Sequence, residues 1–165
     1  MKPALLVIDV QKEFFKMGPE TARSLDSAIE YINAAIDLFR ARGLPVISVQ
    51  DKDVEAGCVP GAGGFDLPDS LKVLPSDLHI VKTYGNAFNK TPLADALRTA
   101  GVDTVIVTGF CAEYCVLSTY VGARDHDLTP ILLRNAIASG RPESVRFVEN
   151  AYDVISYGAL KKMLQ

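Results

Sequence analysis

The stretch Thr108–Tyr120, TGFCAEYCVLSTY, holds two of the chain's three cysteines, Cys111 and Cys115, four residues apart. A thiol can act as a nucleophile, ligate a metal, form a redox pair or fill a core as a small apolar group. The C-x₃-C spacing departs from the C-x-x-C of redox motifs. The two histidines, His79 and His126, are not placed to complete a metal site with the cysteines. Covalent catalysis needs a group to accept the thiol proton and another to balance charge. Two residues offer these: Asp9, which ends the apolar run Ala4–Ile8, and Lys82, which follows Ile80-Val81.

The elements that would hold these residues alternate between strand and helix. Ala4–Ile8 is continuously apolar, as in a strand buried on both faces. Leu25, Ile29, Ile32, Ile36 and Phe39 form one helical stripe, closed by Gly43 and Pro45. Val46–Val49 predicts a second strand. Residues 51–77, rich in Gly and Pro, predict a surface excursion, and the Pro60–Gly64 run does not fit a phosphate-binding loop. A third short strand centres on Ile80-Val81. Thr91-Pro92 opens a helix to Ala100. Strands at Thr104–Thr108 and Pro130–Leu133 flank a helix from Ala112 to Arg124. A helix from Pro142 to Tyr152, a short strand at Val154-Ile155 and a helix capped by Ser156 complete the chain. This order predicts a single α/β domain over residues 1–165, doubly wound in three αβα layers around a mostly parallel sheet.

Ligands in open α/β sheets bind beyond the carboxyl ends of the strands. Asp9 and Lys82 lie at two such ends, and Cys115 lies in the first turn after a third. Each has an ordinary reading: a turn cap, a solvated charge, a buried small side chain. Their joint placement favours a site, because a charge ending a buried strand needs a partner. A helix N-terminus and a nearby lysine would lower the Cys115 thiol pKa from about 8.5. Cys111 lies in the strand-to-helix loop, where free backbone N–H groups suit an oxyanion better than a nucleophile.

The totals narrow the function classes. A net charge of −3 without a basic stripe argues against nucleic acid. No apolar stretch reaches membrane-span length, and the N-terminal run reads as a strand, not a secretion signal. Three cysteines without a disulfide framework fit a reducing, cytoplasmic setting. No cofactor and no metal are expected.

Three segments together resemble the isochorismatase-like cysteine hydrolases, a superfamily that includes nicotinamidases, N-carbamoylsarcosine amidases and isochorismatases. Leu5–Phe14, LLVIDVQKEF, is similar to the family's opening strand with Asp-x-Gln-x-x-Phe. Val81–Phe88, VKTYGNAF, is similar to its lysine segment. Val107–Val116, VTGFCAEYCV, is similar to its nucleophile segment. The resemblance implies a triad of Asp9, Lys82 and Cys115. It also implies a cis peptide before Cys111 and an oxyanion hole from the Cys111 and Cys115 N–H groups. It further implies a homo-oligomer, a dimer or tetramer, acting on a small molecule. Phe14, Gln11, Tyr84, Phe88 and Phe110 are the expected substrate-binding residues. Asp51-Lys52-Asp53 stands where nicotinamidases carry Asp-x-His, so a nicotinamidase-type metal site is not expected.

The chemistry so implied is hydrolysis of a small amide or carbamoyl-type C–N bond through a Cys115 thioester. Asp9 would be the general acid and base, and Lys82 the electrostatic stabiliser. The alternatives are vinyl-ether cleavage of the isochorismatase type with Asp9 as acid, a non-catalytic binding module, and redox sensing at Cys115.

Overall fold

The computed structural model describes residues 1–165. Six strands form one sheet in the order β3-β2-β1-β4-β5-β6: β1 Pro3–Ile8, β2 Val46–Asp51, β3 Leu78–Lys82, β4 Thr104–Phe110, β5 Thr129–Ala138 and β6 Val154–Ile155. Every pairing is parallel. Parallel strands require crossovers. Four are supplied by α1 Pro19–Ala41, α2 Leu93–Thr99, α3 Leu117–Asp125 and α4 Pro142–Ala151. The fifth, from β2 to β3, runs through residues 52–77 without a helix, and α5 Tyr157–Met163 ends the chain.

All six residues of β1 are buried, which explains its unbroken apolar run. Period-2 alternation divides it between two cores. Ala4, Leu6 and Ile8 join the core that includes Leu93, Leu97 and Tyr120; Leu5 and Val7 join the core with the α1 stripe. Leu25, Ile29, Ile32, Ile36 and Phe39 all lie within the buried face of α1. Burying one such side chain contributes roughly 1.5–3 kcal/mol, so the stripe is a main anchor of that layer.

The structure lengthens several predicted elements. β2 continues to Asp51, and β5 runs to Ala138 instead of stopping at Leu133. A 3₁₀ helix, Lys12–Met17, follows the first strand where none was predicted. The predicted helix from Ala112 begins as a π-helical turn, Ala112–Val116, before α3. Ser156 does cap α5, its Oγ accepting from Ala159 N at 3.3 Å.

Residues 51–77 form an ordered strap pinned beside the end of β1. Lys12 N donates to Asp66 O (2.9 Å) and Glu13 N to Gly64 O (2.8 Å). The strap's own Cys58, Phe65 and Leu71 are buried and anchor it. No helix is long and apolar enough to cross a membrane.

Candidate active site

The sheet order reverses direction between β1 and β4, which opens a crevice at their carboxyl ends. Asp9 leaves β1 there. Its backbone adopts φ 52°, the left-handed region, while its N–H remains bonded to Val49 O at 2.8 Å. A non-glycine residue in this region costs roughly 1–2 kcal/mol, and here the turn aims the carboxyl along the sheet edge. Across the crevice, Gly109 has φ 111°. A Cβ at that position would overlap the Ile8 backbone, so only glycine lets β4 approach β1 this closely.

Lys82 brings the strand ends together. Its ammonium lies 2.9 Å from Asp9 Oδ2, 2.8 Å from Asp51 Oδ1 and 3.3 Å from Cys115 Sγ. The Lys82 and Asp9 side chains are almost wholly buried. Asp9 Oδ1 is buried without a partner. Sequence reading picked out Asp9, Lys82 and Cys115, and the structure brings all three into one cluster. It missed Asp51 as a site residue. The signal was available: Asp51 ends β2 as Asp9 ends β1, on a neighbouring strand.

Burial pushes the Asp9 carboxyl up to about 6, against the pull of Lys82. Burial opposes the charge of Lys82, but Asp9, Cys115 and Asp51 outweigh it and hold the ammonium above its ordinary range. The Cys115 thiol departs from expectation. Burial, followed by the Asp9 charge, pushes it up to about 12, and Lys82 offsets only part of this. With burial and the Asp9 charge both opposing it, the lysine does not generate a resting thiolate. Cys115 is therefore a thiol beside a carboxylate at neutral pH.

The Phe110–Cys111 peptide is cis. Cys111 N–H has no backbone acceptor, while Cys111 O accepts from Tyr114 N (3.0 Å) and Val116 N (3.2 Å), skipping Cys115. The π-helical turn thus carries Cys115 at the mouth of the crevice. The Cys111 side chain points into a different network. Its thiol donates to Glu113 Oε2 at 3.0 Å, and Ser139 Oγ donates to Glu113 Oε1 at 3.0 Å. Burial and the Glu113 bond push the Cys111 thiol up to about 12.

The expected substrate-binding residues divide. Phe14 and Phe110 pack ring to ring at 5.0 Å, next to the turn that carries Cys111. Tyr84 is exposed at the rim, where Lys90 Nζ donates to its hydroxyl. Two depart from expectation. Gln11 is fully buried, and its amide is occupied by Asp51 N and O, Phe65 O and Cys58 Sγ. Phe88 lies in the core with its ring 4.9 Å from that of His126, at the end of α3. His79 lies three residues before Lys82 on β3, roughly 10 Å along the strand, and contacts Leu74 O and Gln50.

A doubly wound parallel sheet with an acid, a lysine and a thiol at its switch point defines a class of α/β hydrolytic enzyme. Residues 3–155 match the Isochorismatase domain, and the chain belongs to the isochorismatase family of hydrolases. It is 28% identical over 142 residues to the isochorismatase family protein YddQ of Bacillus subtilis, covering 84% of this chain and 79% of YddQ. It is 27% identical over 175 residues to maleamate amidohydrolase of Pseudomonas putida, covering 95% of this chain and 81% of that protein. Among solved structures, an isochorismatase-like hydrolase from Alkaliphilus metalliredigens shares the fold over both whole chains, with a TM-score of 0.89 at 24% identity. N-carbamoylsarcosine amidase from Thermoplasma acidophilum superposes with a TM-score of 0.79 at 28% identity, covering 94% of this chain and 95% of that one.

Proposed function

We propose that the protein hydrolyses a small amide or carbamoyl-type C–N bond through a thioester on Cys115. The observation that carries this reading is the Lys82 ammonium held between Asp9 and Cys115, at 2.9 and 3.3 Å. Similarity to a maleamate amidohydrolase and an N-carbamoylsarcosine amidase supports the C–N bond as the target.

Asp9 is ionised above pH 6 and accepts the thiol proton as Cys115 Sγ attacks the carbonyl carbon. The transfer is uphill in the free enzyme, so the thiolate forms as it bonds to carbon and not before. The Cys111 and Cys115 N–H groups receive the oxyanion. Asp9 returns the proton to the leaving nitrogen, the C–N bond breaks, and an acyl thioester remains. Water then attacks the thioester with Asp9 as base. The C–S bond breaks, the acid departs and Cys115 regains a proton. Lys82 stabilises whichever of Asp9 and Cys115 carries the negative charge. Asp9 and Cys115 titrate as a pair.

The test is Cys115→Ala and Cys115→Ser with ammonia release as the readout, alongside mass spectrometry of wild type quenched during turnover. Turnover should fall at least about 10⁴-fold, and wild type should show an acyl adduct on Cys115. Undiminished turnover by folded Cys115→Ala ends the covalent reading. A second reading, vinyl-ether cleavage with Asp9 as acid, draws on the raised carboxyl pKa of about 6. It requires the opposite protonation state of Asp9.

A further inference from the structure

We propose that Asp51 is a specificity-determining residue: its second carboxylate oxygen accepts a hydrogen bond from the substrate and makes the site select neutral or cationic amides over amides bearing a carboxylate. The inference rests on the amide-hydrolase reading above and names the substrate class of that site.

An ammonium has three N–H donors and no more. Those of Lys82 are taken by Asp9 Oδ2, Asp51 Oδ1 and Cys115 Sγ. The one buried cation of the site therefore has nothing left for a substrate anion. Acceptors, in contrast, are in surplus. Asp9 Oδ1 is buried without a partner, and Asp51 bonds Lys82 through Oδ1 alone. Two carboxylates, one ammonium and a neutral thiol leave the cluster with a net charge of about −1 at neutral pH.

Asp51 is the member of the trio that meets solvent. Its side chain is 24% exposed, against 1% for Asp9 and 0% for Lys82. Its backbone is fixed at both ends by Gln11, so the carboxylate is held ready and is not recruited by the substrate.

Nearby cations do not reverse the field. Lys12 is paired with Asp69, Lys16 with Glu13, and Lys90 rests on Tyr84. Lys52 is exposed, and its N–H bonds Lys82 O. Arg141 follows β5, three strand positions from β2 and so roughly 14 Å across the sheet. A substrate offering N–H donors completes this site, whereas one offering a carboxylate meets like charge.

The experiment compares butyramide, β-alaninamide and succinamate, amides of similar length that are neutral, cationic and anionic. In wild type, kcat/KM for succinamate should lie at least about tenfold below the other two, and Asp51→Asn should narrow that gap by about tenfold. A parallel measurement needs no amide turnover. Cys115 alkylation by iodoacetate and iodoacetamide is mapped by mass spectrometry and normalised to free cysteine. Iodoacetate should be disfavoured about tenfold in wild type and regain most of this in Asp51→Asn. Asp51→Ser serves if Asp51→Asn is misfolded by circular dichroism. Wild-type preference for succinamate, or a reagent ratio unchanged by loss of the Asp51 charge, overturns the proposal. A shifted reagent ratio with no amide hydrolysed supports the charge selection and sinks the amide reaction instead.

Discussion

Gln11 grips the peptide groups of Asp51 from both sides. Its Nε2 donates to Asp51 O at 3.0 Å, and its Oε1 accepts from Asp51 N at 2.7 Å. The same amide reaches Phe65 O at 3.2 Å and so ties the 51–77 strap to the ends of β1 and β2. One buried side chain therefore fixes the register of two strand ends, and with it the distance between Asp9 and the second carboxylate on Lys82.

Gln11→Ala should lower stability by about 2–4 kcal/mol, because it strands buried backbone groups of Asp51 and Phe65 as well as removing bonds. Urea unfolding measures this. A loss below about 0.5 kcal/mol would mean that water or the strap replaces the amide.

The pH dependence separates the two reactions. Amide hydrolysis uses ionised Asp9, so kcat/KM should fall about tenfold per unit as pH drops below about 6. Vinyl-ether cleavage uses protonated Asp9, so its rate should fall as pH rises through the same value. A pH–rate profile on any accepted substrate reads the sign directly.

Asp9 also destabilises the fold when charged. Its folded pKa of about 6 exceeds the ordinary value of 3.8, so the folded state holds the proton more tightly than the unfolded chain. Stability from this group is greatest below pH 3.8 and is lost as pH rises through 6. The shift corresponds to an order of 3 kcal/mol. Asp9→Asn should abolish turnover. Because it also takes a partner from Lys82, the quantity that reports the buried charge is the pH dependence: the Tm of Asp9→Asn relative to wild type should be more favourable at pH 7.5 than at pH 5. An equal Tm change at both pH values would contradict the buried-charge account.

The two site cysteines should differ in what their loss does. Cys111→Ala keeps its backbone N–H and removes only the thiol bonded to Glu113, so activity should stay within about tenfold of wild type. Complete loss of turnover in folded Cys111→Ala would assign the Cys111 thiol a chemical role. Neither cysteine should alkylate rapidly at pH 7, since both thiols lie near 12. Fast labelling of Cys115 in the free enzyme would show a resting thiolate.

Hydrophobic periodicity was enough to read the parallel α/β architecture, because strands buried on both faces and one-sided helices leave different patterns along the chain. Ala4–Ile8 and the Leu25–Phe39 stripe are the plainest cases. The same patterns placed Asp9, Lys82 and Cys115 at the carboxyl edge, since residues that end buried strands in a parallel sheet share one side. Local pattern did not disclose the roles of Gln11 and Phe88. Their partners lie tens of residues away, at Asp51 and Phe65 for one and at His126 for the other. It also misjudged the state of Cys115. The helix terminus and the lysine were legible, but the burial of the thiol and the closeness of the Asp9 charge were not. Sequence determines which groups reach the sheet edge, because that follows from local periodicity. Only the tertiary structure decides how one ammonium is divided among three partners, because Coulombic and desolvation effects depend on distances and burial that no local pattern encodes.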